Sequence, residues 1–251
     1  MKILNHRPWF GTFPLEPIHI KIWELSRSEG NSRFISKHKL RISLSTVNVT
    51  YTWITNILMR IDDELNNHLE FTKKIRLLPE GVPVSFDELP PASSHLVNLD
   101  INSLIIYLHI LMDDVSRFME YLFVENRLLK HDKFLRLKNS INNYEGDRIE
   151  ELNTIIQKTK WYNELNQLRK QPVVHTGVKI GGIEVRGETV GVYLRHFIGK
   201  KNRLKSKFIS NLEIDEMCDN VHSFLNELNE FLCTNFDYLP LCALRIREEV
   251  A

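Results

Sequence analysis

Asp100-Ile101-Asn102-Ser103-Leu104-Ile105-Ile106-Tyr107-Leu108-His109-Ile110-Leu111-Met112-Asp113-Asp114-Val115-Ser116-Arg117-Phe118-Met119-Glu120-Tyr121-Leu122 is the stretch whose reading decides the fold. Its apolar positions Ile101, Leu104, Ile105, Leu108, Leu111, Met112, Val115, Phe118, Met119 and Leu122 recur at three- and four-residue steps. Positions so spaced share one face of an α-helix, so the stretch reads as an amphipathic helix with a buried stripe. Asp100 is the expected N-cap, because its carboxylate can accept the free N–H groups of a first turn. Within this stretch lies the most apolar run of the chain, Leu104 to Met112, which contains His109 and runs into Asp113 and Asp114. It is less than half the length of a membrane span.

Working outward, the same period appears in Val47, Tyr51, Ile54, Leu58, Ile61, Leu65 and Leu69, which predicts a helix over about 46–77. Before it, Ile18-His19-Ile20-Lys21-Ile22 and Leu40-Arg41-Ile42-Ser43-Leu44 alternate, the period of a half-buried strand. Residues 1–45 are therefore expected to form a β or irregular N-terminal extension. Pro79, Gly81, Pro83, Pro90 and Pro91 mark a loop at 79–98. A short helix is expected at 132–142, and a longer one from Asp147 that must stop near Pro172. Val178 to Val185, with a turn at Gly181-Gly182, and Val190 to Phe197 read as a hairpin or three-stranded meander. Ser210-Asn211-Leu212-Glu213 is a capping box, and Ile214, Met217, Val221, Phe224, Leu225, Leu228, Phe231 and Leu232 continue it on one helix face. Four long amphipathic helices and one small β element predict a mostly α protein. That is a helical bundle over 46–251, with a β insert at 178–197 and an extended N-terminal segment.

Composition agrees with that class. The chain has 251 residues, 33 Lys+Arg against 32 Asp+Glu, and a net charge of +1. That balance excludes a polybasic arm or an acidic tail, so any grip on nucleic acid must come from local patches. With 10 Gly and 9 Pro the chain is neither disordered nor an all-β protein full of tight turns. Cys218, Cys233 and Cys242 fit no zinc or redox spacing, which predicts free thiols in a reducing compartment. The N-terminus lacks an apolar core of signal-peptide length, and no segment spans a membrane. The expected location is the cytoplasm.

Familiar catalytic motifs are missing: no His-Glu-x-x-His, no glycine-rich phosphate loop, no Gly-x-Ser-x-Gly and no EF-hand. Asp62-Asp63 and Asp113-Asp114 point about 100° apart within each pair, so neither pair offers two ligands to one ion. A solvated helix face is the simpler reading of both, although Asp114, between Leu111 and Phe118, would want a cationic partner. No metal and no cofactor are expected. Trp161 and Tyr162 could stack bases, but at helical spacing they read as core.

One constellation carries chemistry. In Leu168-Arg169-Lys170-Gln171-Pro172-Val173-Val174-His175-Thr176-Gly177, Arg169 falls four residues after Leu165 and seven after Tyr162, beside the apolar face of its helix. There its guanidinium needs an anionic partner or ligand. The plainer reading is that it caps the last carbonyls of the helix. His175 follows once Pro172 has re-aimed the chain. A permanent cation beside an imidazole that titrates near neutrality suits phosphodiester chemistry. Arg33 and His38 show a similar spacing, but in a polar stretch with no helical period. Lys200-Lys201-Asn202-Arg203-Leu204-Lys205-Ser206-Lys207 holds five cations and no acid, a solvated loop or a contact to an RNA backbone.

The order of these features resembles the HEPN superfamily. The likeness covers about residues 46–235: the helix beginning at Asp100, the Trp161-Tyr162-x-x-Leu165-x-x-Leu168-Arg169 run, and the Arg-to-His step. Members are helical bundles, many of them metal-independent RNases that dimerise so that two Arg–His motifs face each other. The resemblance implies an endoribonuclease of the toxin or defence kind, working as a homodimer on RNA, with an antitoxin or other protein partner left open. It assigns Arg169 and His175 to catalysis, and Asp114, at the margin of its apolar stripe, is the candidate for the group that orients Arg169. Lys170, Lys200, Lys201 and Arg203 would then contact RNA, and the product would carry a 2′,3′-cyclic phosphate. Many active members carry Asn or another small polar residue straight after the Arg, and Lys170 and Pro172 depart from that pattern. The alternative is a non-catalytic HEPN-like binding or scaffold module for a protein or nucleotide.

Overall fold

The stripe that begins at Ile101 extends one turn further back to Val97, and both residues are fully buried. A computed structural model of the chain describes residues 9, 12–27, 37–76, 93–123, 133–146, 148–169, 179–186, 189–198, 203–241 and 244–245. In it the helix runs from Ser93 to Glu120. Asp100 is thus a mid-helix residue, not an N-cap. Its carboxylate accepts two bonds from Arg60, from Nε at 3.0 Å and Nη2 at 2.6 Å. Prolines at 90 and 91 precede a helix start rather than a long loop up to residue 98.

The protein is mostly helical: α1 (Glu16–Arg27), α2 (Lys37–Arg76), α3 (Ser93–Glu120), α4 (Phe134–Ser140), α5 (Ile149–Gln157), α6 (Tyr162–Leu168) and α7 (Asn211–Thr234). The β part comprises β1 (Tyr144–Glu145), β2 (Lys179–Arg186), β3 (Thr189–Ile198), β4 (Arg203–Ser210) and β5 (Leu244–Arg245). Among the described residues no helix is long and apolar enough to cross a membrane.

The N-terminal region is where the alternation misleads. Residues 16–27 and 37–45 are helical, not extended. Ile18 and Ile22 are buried while Ile20 between them is half exposed, and Leu40 and Leu44 are buried while Ile42 is exposed. The i, i+4 pairs carry the packing, and the middle residue points outward. An apolar-polar-apolar-polar-apolar run satisfies both periods, and here burial of the outer pair decides for the helix.

The chain divides into two units. One comprises residues 11–52, 108–162 and 220–251. Its core includes Leu15, Ile18, Leu44, Leu108, Leu111, Phe118, Phe134, Leu152, Tyr162, Leu225 and Leu228, all essentially inaccessible. Phe134 meets Tyr162 and Phe224 edge-on, with centroids 5.0 and 5.4 Å apart. The long helix expected from Asp147 to Pro172 breaks between Gln157 and Tyr162. Thr159 turns the chain: its hydroxyl donates to Ile156 O at 2.6 Å, and its carbonyl accepts the Tyr162 N–H at 3.1 Å. The buried Lys138 ammonium donates to that same carbonyl. A two-residue antiparallel ladder pairs β1 with β5.

The other unit comprises residues 1–10, 53–107 and 163–219. Ile54, Leu58, Ile61, Leu65, Leu104 and Ile105 form its helical core, with Trp9 beside them. Here the antiparallel sheet runs in the order β2-β3-β4. Gly181 and Gly182 sit inside β2 at a register irregularity between Ile180 and Ile183, so they form a bulge and not the hairpin turn. The β element also extends past residue 197, because Arg203–Ser210 is a third strand where a cationic loop was expected. β4 is an edge strand, where lysines are well tolerated.

Among the described residues of the sheet, Val190, Gly191, Val192 and Ile209 are buried. Gly191 is required where it stands. A Cβ there would lie 2.3 Å from the Ile209 carbonyl oxygen and 2.7 Å from the tip of the Phe208 ring. The start of α7 follows the capping-box pattern: Glu213 N–H donates to Ser210 Oγ at 3.2 Å, and Ser210 N–H donates to Glu213 Oε2 at 2.9 Å.

Candidate functional site

Arg169 follows directly on α6, a helix whose Tyr162 and Leu165 are buried while Arg169 is half-buried. Leu165 and Tyr162, four and seven residues earlier, hold the inner face of the helix. A guanidinium on a long stem can lie along that face and keep its head near solvent. Lys170 and His175 lie outside the described residues, as do Lys200 and Lys201. Arg203 is the first residue of β4, paired by register with Ile198.

Asp114 is buried on α3, 3% exposed, which removes the reading of Asp113-Asp114 as a solvated face. Its Oδ2 accepts the Thr50 hydroxyl at 2.8 Å, and its Oδ1 accepts Arg117 at 2.8 Å. Arg117 is the cation that a carboxylate at the margin of an apolar stripe demands. Burial raises the carboxyl above its ordinary range, although Thr50 and Arg117 pull it down. Asp62, in the other acidic pair, is buried as well, and Asp63 is exposed.

Asp113 points elsewhere, as residues about 100° apart on a helix must. It accepts the Phe134 N–H at 3.0 Å and lies 3.4 Å from His109 Nδ1. The other ring nitrogen of His109 is 3.0 Å from the Tyr162 hydroxyl. Asp113, His109 and Tyr162 thus form a continuous polar chain through a buried region. It also explains why Tyr162 is core and not a base-stacking residue: its ring is covered and its hydroxyl has a partner. The sequence signal was present, since His109 and Asp113 are four residues apart on one helix, but a lone His in an apolar run does not name its partner.

Sequence reading also missed a cluster on the sheet. Tyr193 and Phe208 face each other across β3 and β4, with centroids 5.3 Å apart. The Arg186 guanidinium lies 4.4 Å from the Phe208 centroid and 5.6 Å from that of Tyr193. Arg186 donates to Glu184 at 3.0 Å and also to the Tyr193 hydroxyl. Hydrogen bonds from Arg186 and Tyr193 hold Glu184 below the usual carboxylate range, and the bond to Glu184 raises the Tyr193 phenol. These residues sit on three strands, and strand register brings them together.

Elsewhere, a groove of about 590 Å³ is lined by His19 and Trp23 of α1 and by Arg41, Ile42 and Val49 of α2. Burial pushes the Cys218 thiol well above its ordinary value and the Cys233 thiol upward. Cys242 lies outside the described residues. Among the described residues no three His, Cys, Asp or Glu side chains group as a metal site. No protein-family model, no curated protein and no solved structure matches the chain.

Proposed function

We propose that the protein is a HEPN-like, metal-independent endoribonuclease of the toxin or defence kind, acting as a homodimer in the cytoplasm. The observation that carries the reading is Arg169 itself, half-buried at the end of an amphipathic helix and followed by His175 across a proline. In this scheme the RNA 2′-hydroxyl attacks the adjacent phosphorus and the 5′-oxygen leaves. His175 acts as general base or acid, and Arg169 stabilises the charge that builds on the phosphorane oxygens. Asp114 is committed to Thr50 and Arg117. Two copies would bring two motifs together, as the resemblance implies.

The test is cleavage of single-stranded RNA in EDTA, with the ends identified by mass spectrometry. The expected products are a 2′,3′-cyclic phosphate and a 5′-hydroxyl. Arg169→Ala and His175→Ala should each lower the rate by roughly 10²-fold or more. Cleavage abolished by EDTA, or undiminished in both variants, defeats the scheme. A non-catalytic binding module is the second reading. It is favoured by Lys170 and Pro172 in the motif and by the groove where Trp23, Ile42 and Val49 offer an apolar seat. Absence of cleavage by the wild-type dimer selects it.

A further inference from the structure

In the unit that holds residues 53–107, α3 is apolar on two sides. Val97, Ile101, Leu104 and Ile105 turn inward and are fully buried. On the opposite side, steps of three and four residues give a second stripe, Leu96, Leu99, Ser103 and Ile106. Leu96 is 56% exposed and Leu99 59%, while Ser103 and Ile106 are half-buried. A helix on a domain surface ordinarily carries polar and charged residues there. This stripe has no charged residue, and core packing does not account for it, because the core already takes the other side.

The second stripe has a rigid flank. Trp53 of α2 stacks on Tyr107, with ring planes 2° apart and centroids at 6.0 Å. Seven residues later on α2, Arg60 bonds twice to Asp100, seven residues earlier on α3, so the two helices run antiparallel and are tied at both places. Trp53 stays 53% exposed and extends the apolar surface beside Ile106. The Ser103 hydroxyl donates to Leu99 O of its own helix at 2.7 Å, so it presents no unmet donor to an apolar neighbour. Arg60 and Asp100 neutralise each other at the edge. An apolar centre with a satisfied polar rim is the anatomy of a protein interface.

We propose that this outer stripe of α3 is the seam along which two copies of the chain pair, antiparallel about a two-fold axis. Its steps of three and four are those of a knobs-into-holes contact. Antiparallel pairing sets Leu96 of one copy against Ile106 of the other, and Leu99 against Ser103, so large meets small at the centre. Parallel pairing would set Ser103 on Ser103 and Leu99 on Leu99, one thin layer beside one crowded layer. A charged partner helix would find Arg60 and Asp100 already bonded to each other. A lipid surface calls for free cations beside the apolar stripe. A second copy of the same neutral seam needs neither. From Leu96 to Ile106 the seam is about 15 Å long, which places the affinity at roughly micromolar. The nuclease reading calls for two copies on a resemblance, whereas the seam is argued from α3 alone and names the surface that joins them.

The experiment is sedimentation equilibrium of the full chain over a concentration series spanning the micromolar range. Wild type should pass from monomer to dimer. Leu99→Glu should weaken association by at least about tenfold, since the two-fold places two carboxylates in the seam. Met59→Glu is the control: Met59 is 50% exposed, but on α2 it points about 100° away from Arg60, and its variant should pair like wild type. Mixed Leu99→Cys and Ser103→Cys chains should form disulfide-linked pairs beyond those of either variant alone or of wild type. Wild type that stays monomeric, or Leu99→Glu that pairs as well as wild type, overturns the seam. Leu99→Cys that links to itself in preference to Ser103→Cys overturns the antiparallel sense. Where Leu99→Glu fails a circular dichroism check of folding, Leu96→Glu decides by the same criterion. Cleavage of RNA is scored separately. Pairing that depends on Leu99 without cleavage removes the nuclease and keeps the seam, whereas cleavage by a dimer indifferent to Leu99 does the reverse.

Discussion

The hydroxyl of Tyr162 and Nε2 of His109 lie 3.0 Å apart, with both side chains removed from solvent. His109 continues the connection to Asp113, so the first residue of α6 is tied to α3 by polar bonds as well as by packing. Deleting the Tyr162 hydroxyl keeps the ring against Phe134 and removes the bond between that hydroxyl and the buried imidazole. Tyr162→Phe is expected to lower unfolding free energy by about 1–3 kcal/mol. Urea denaturation measures it, and a loss near zero would mean that water or a rearranged His109 replaces the bond.

Asp114 gives a prediction with a definite sign. Burial raises its carboxyl above the ordinary value of 3.8. A group that binds its proton more tightly in the native chain contributes stability that is fully present below the unfolded pKa and is lost as pH rises through the folded one. Asp114→Asn removes that titration. The stability of wild type relative to this variant should therefore fall as pH rises from below that ordinary value towards neutrality. A difference that grows over that window contradicts the sign.

At the start of α7, Ser210 and Glu213 satisfy each other's backbone N–H groups. Ser210→Ala leaves the Glu213 N–H without its side-chain acceptor. The expected cost is about 1 kcal/mol, read as a lower thermal midpoint, with Ser210→Asp recovering most of it.

Gly191→Ala places a methyl against main chain that cannot swing aside, 2.3 Å from Ile209 O and 2.8 Å from the Ser210 Cα. Either β3 and β4 separate locally or the Phe208 ring moves. We expect destabilisation of about 2 kcal/mol or more, together with loss of amide protection at Ile209 and Val192 in hydrogen exchange. Unchanged protection would show that the strands absorb the methyl.

Some of this molecule can be read directly from its residues. The α3 stripe from Ile101 to Leu122 and the capping box at Ser210 are local patterns, and local geometry decides them. Ile18 to Ile22 and Leu40 to Leu44 were misread because five residues fit both periods, and only burial of the outer pair separates them. Gly181-Gly182 looked like a turn, yet two glycines serve a bulge as well. Lys205 and Lys207 disguised β4, since lysines are common on a strand at the end of a sheet. At the site, the place of Arg169 on the margin of its helix follows from spacing to Leu165 and Tyr162. The bond of Asp114 to Thr50 joins residues that no local window contains, and that of Arg186 to Tyr193 depends on the pairing of β2 with β3.

The turn at Thr159 has a consequence for Arg169. A side chain's azimuth on a helix is inherited from every residue before it, so one inserted residue rotates everything downstream by about 100°. Had α5 run unbroken to Leu168, each position from Ile149 onward would have shared in aiming the guanidinium. The break sets that phase to zero, and Tyr162, buried and bonded to His109, starts it again. Length changes between Lys158 and Trp161 can be absorbed by the turn, whereas a single insertion between Tyr162 and Arg169 would swing the arginine off its side of the helix.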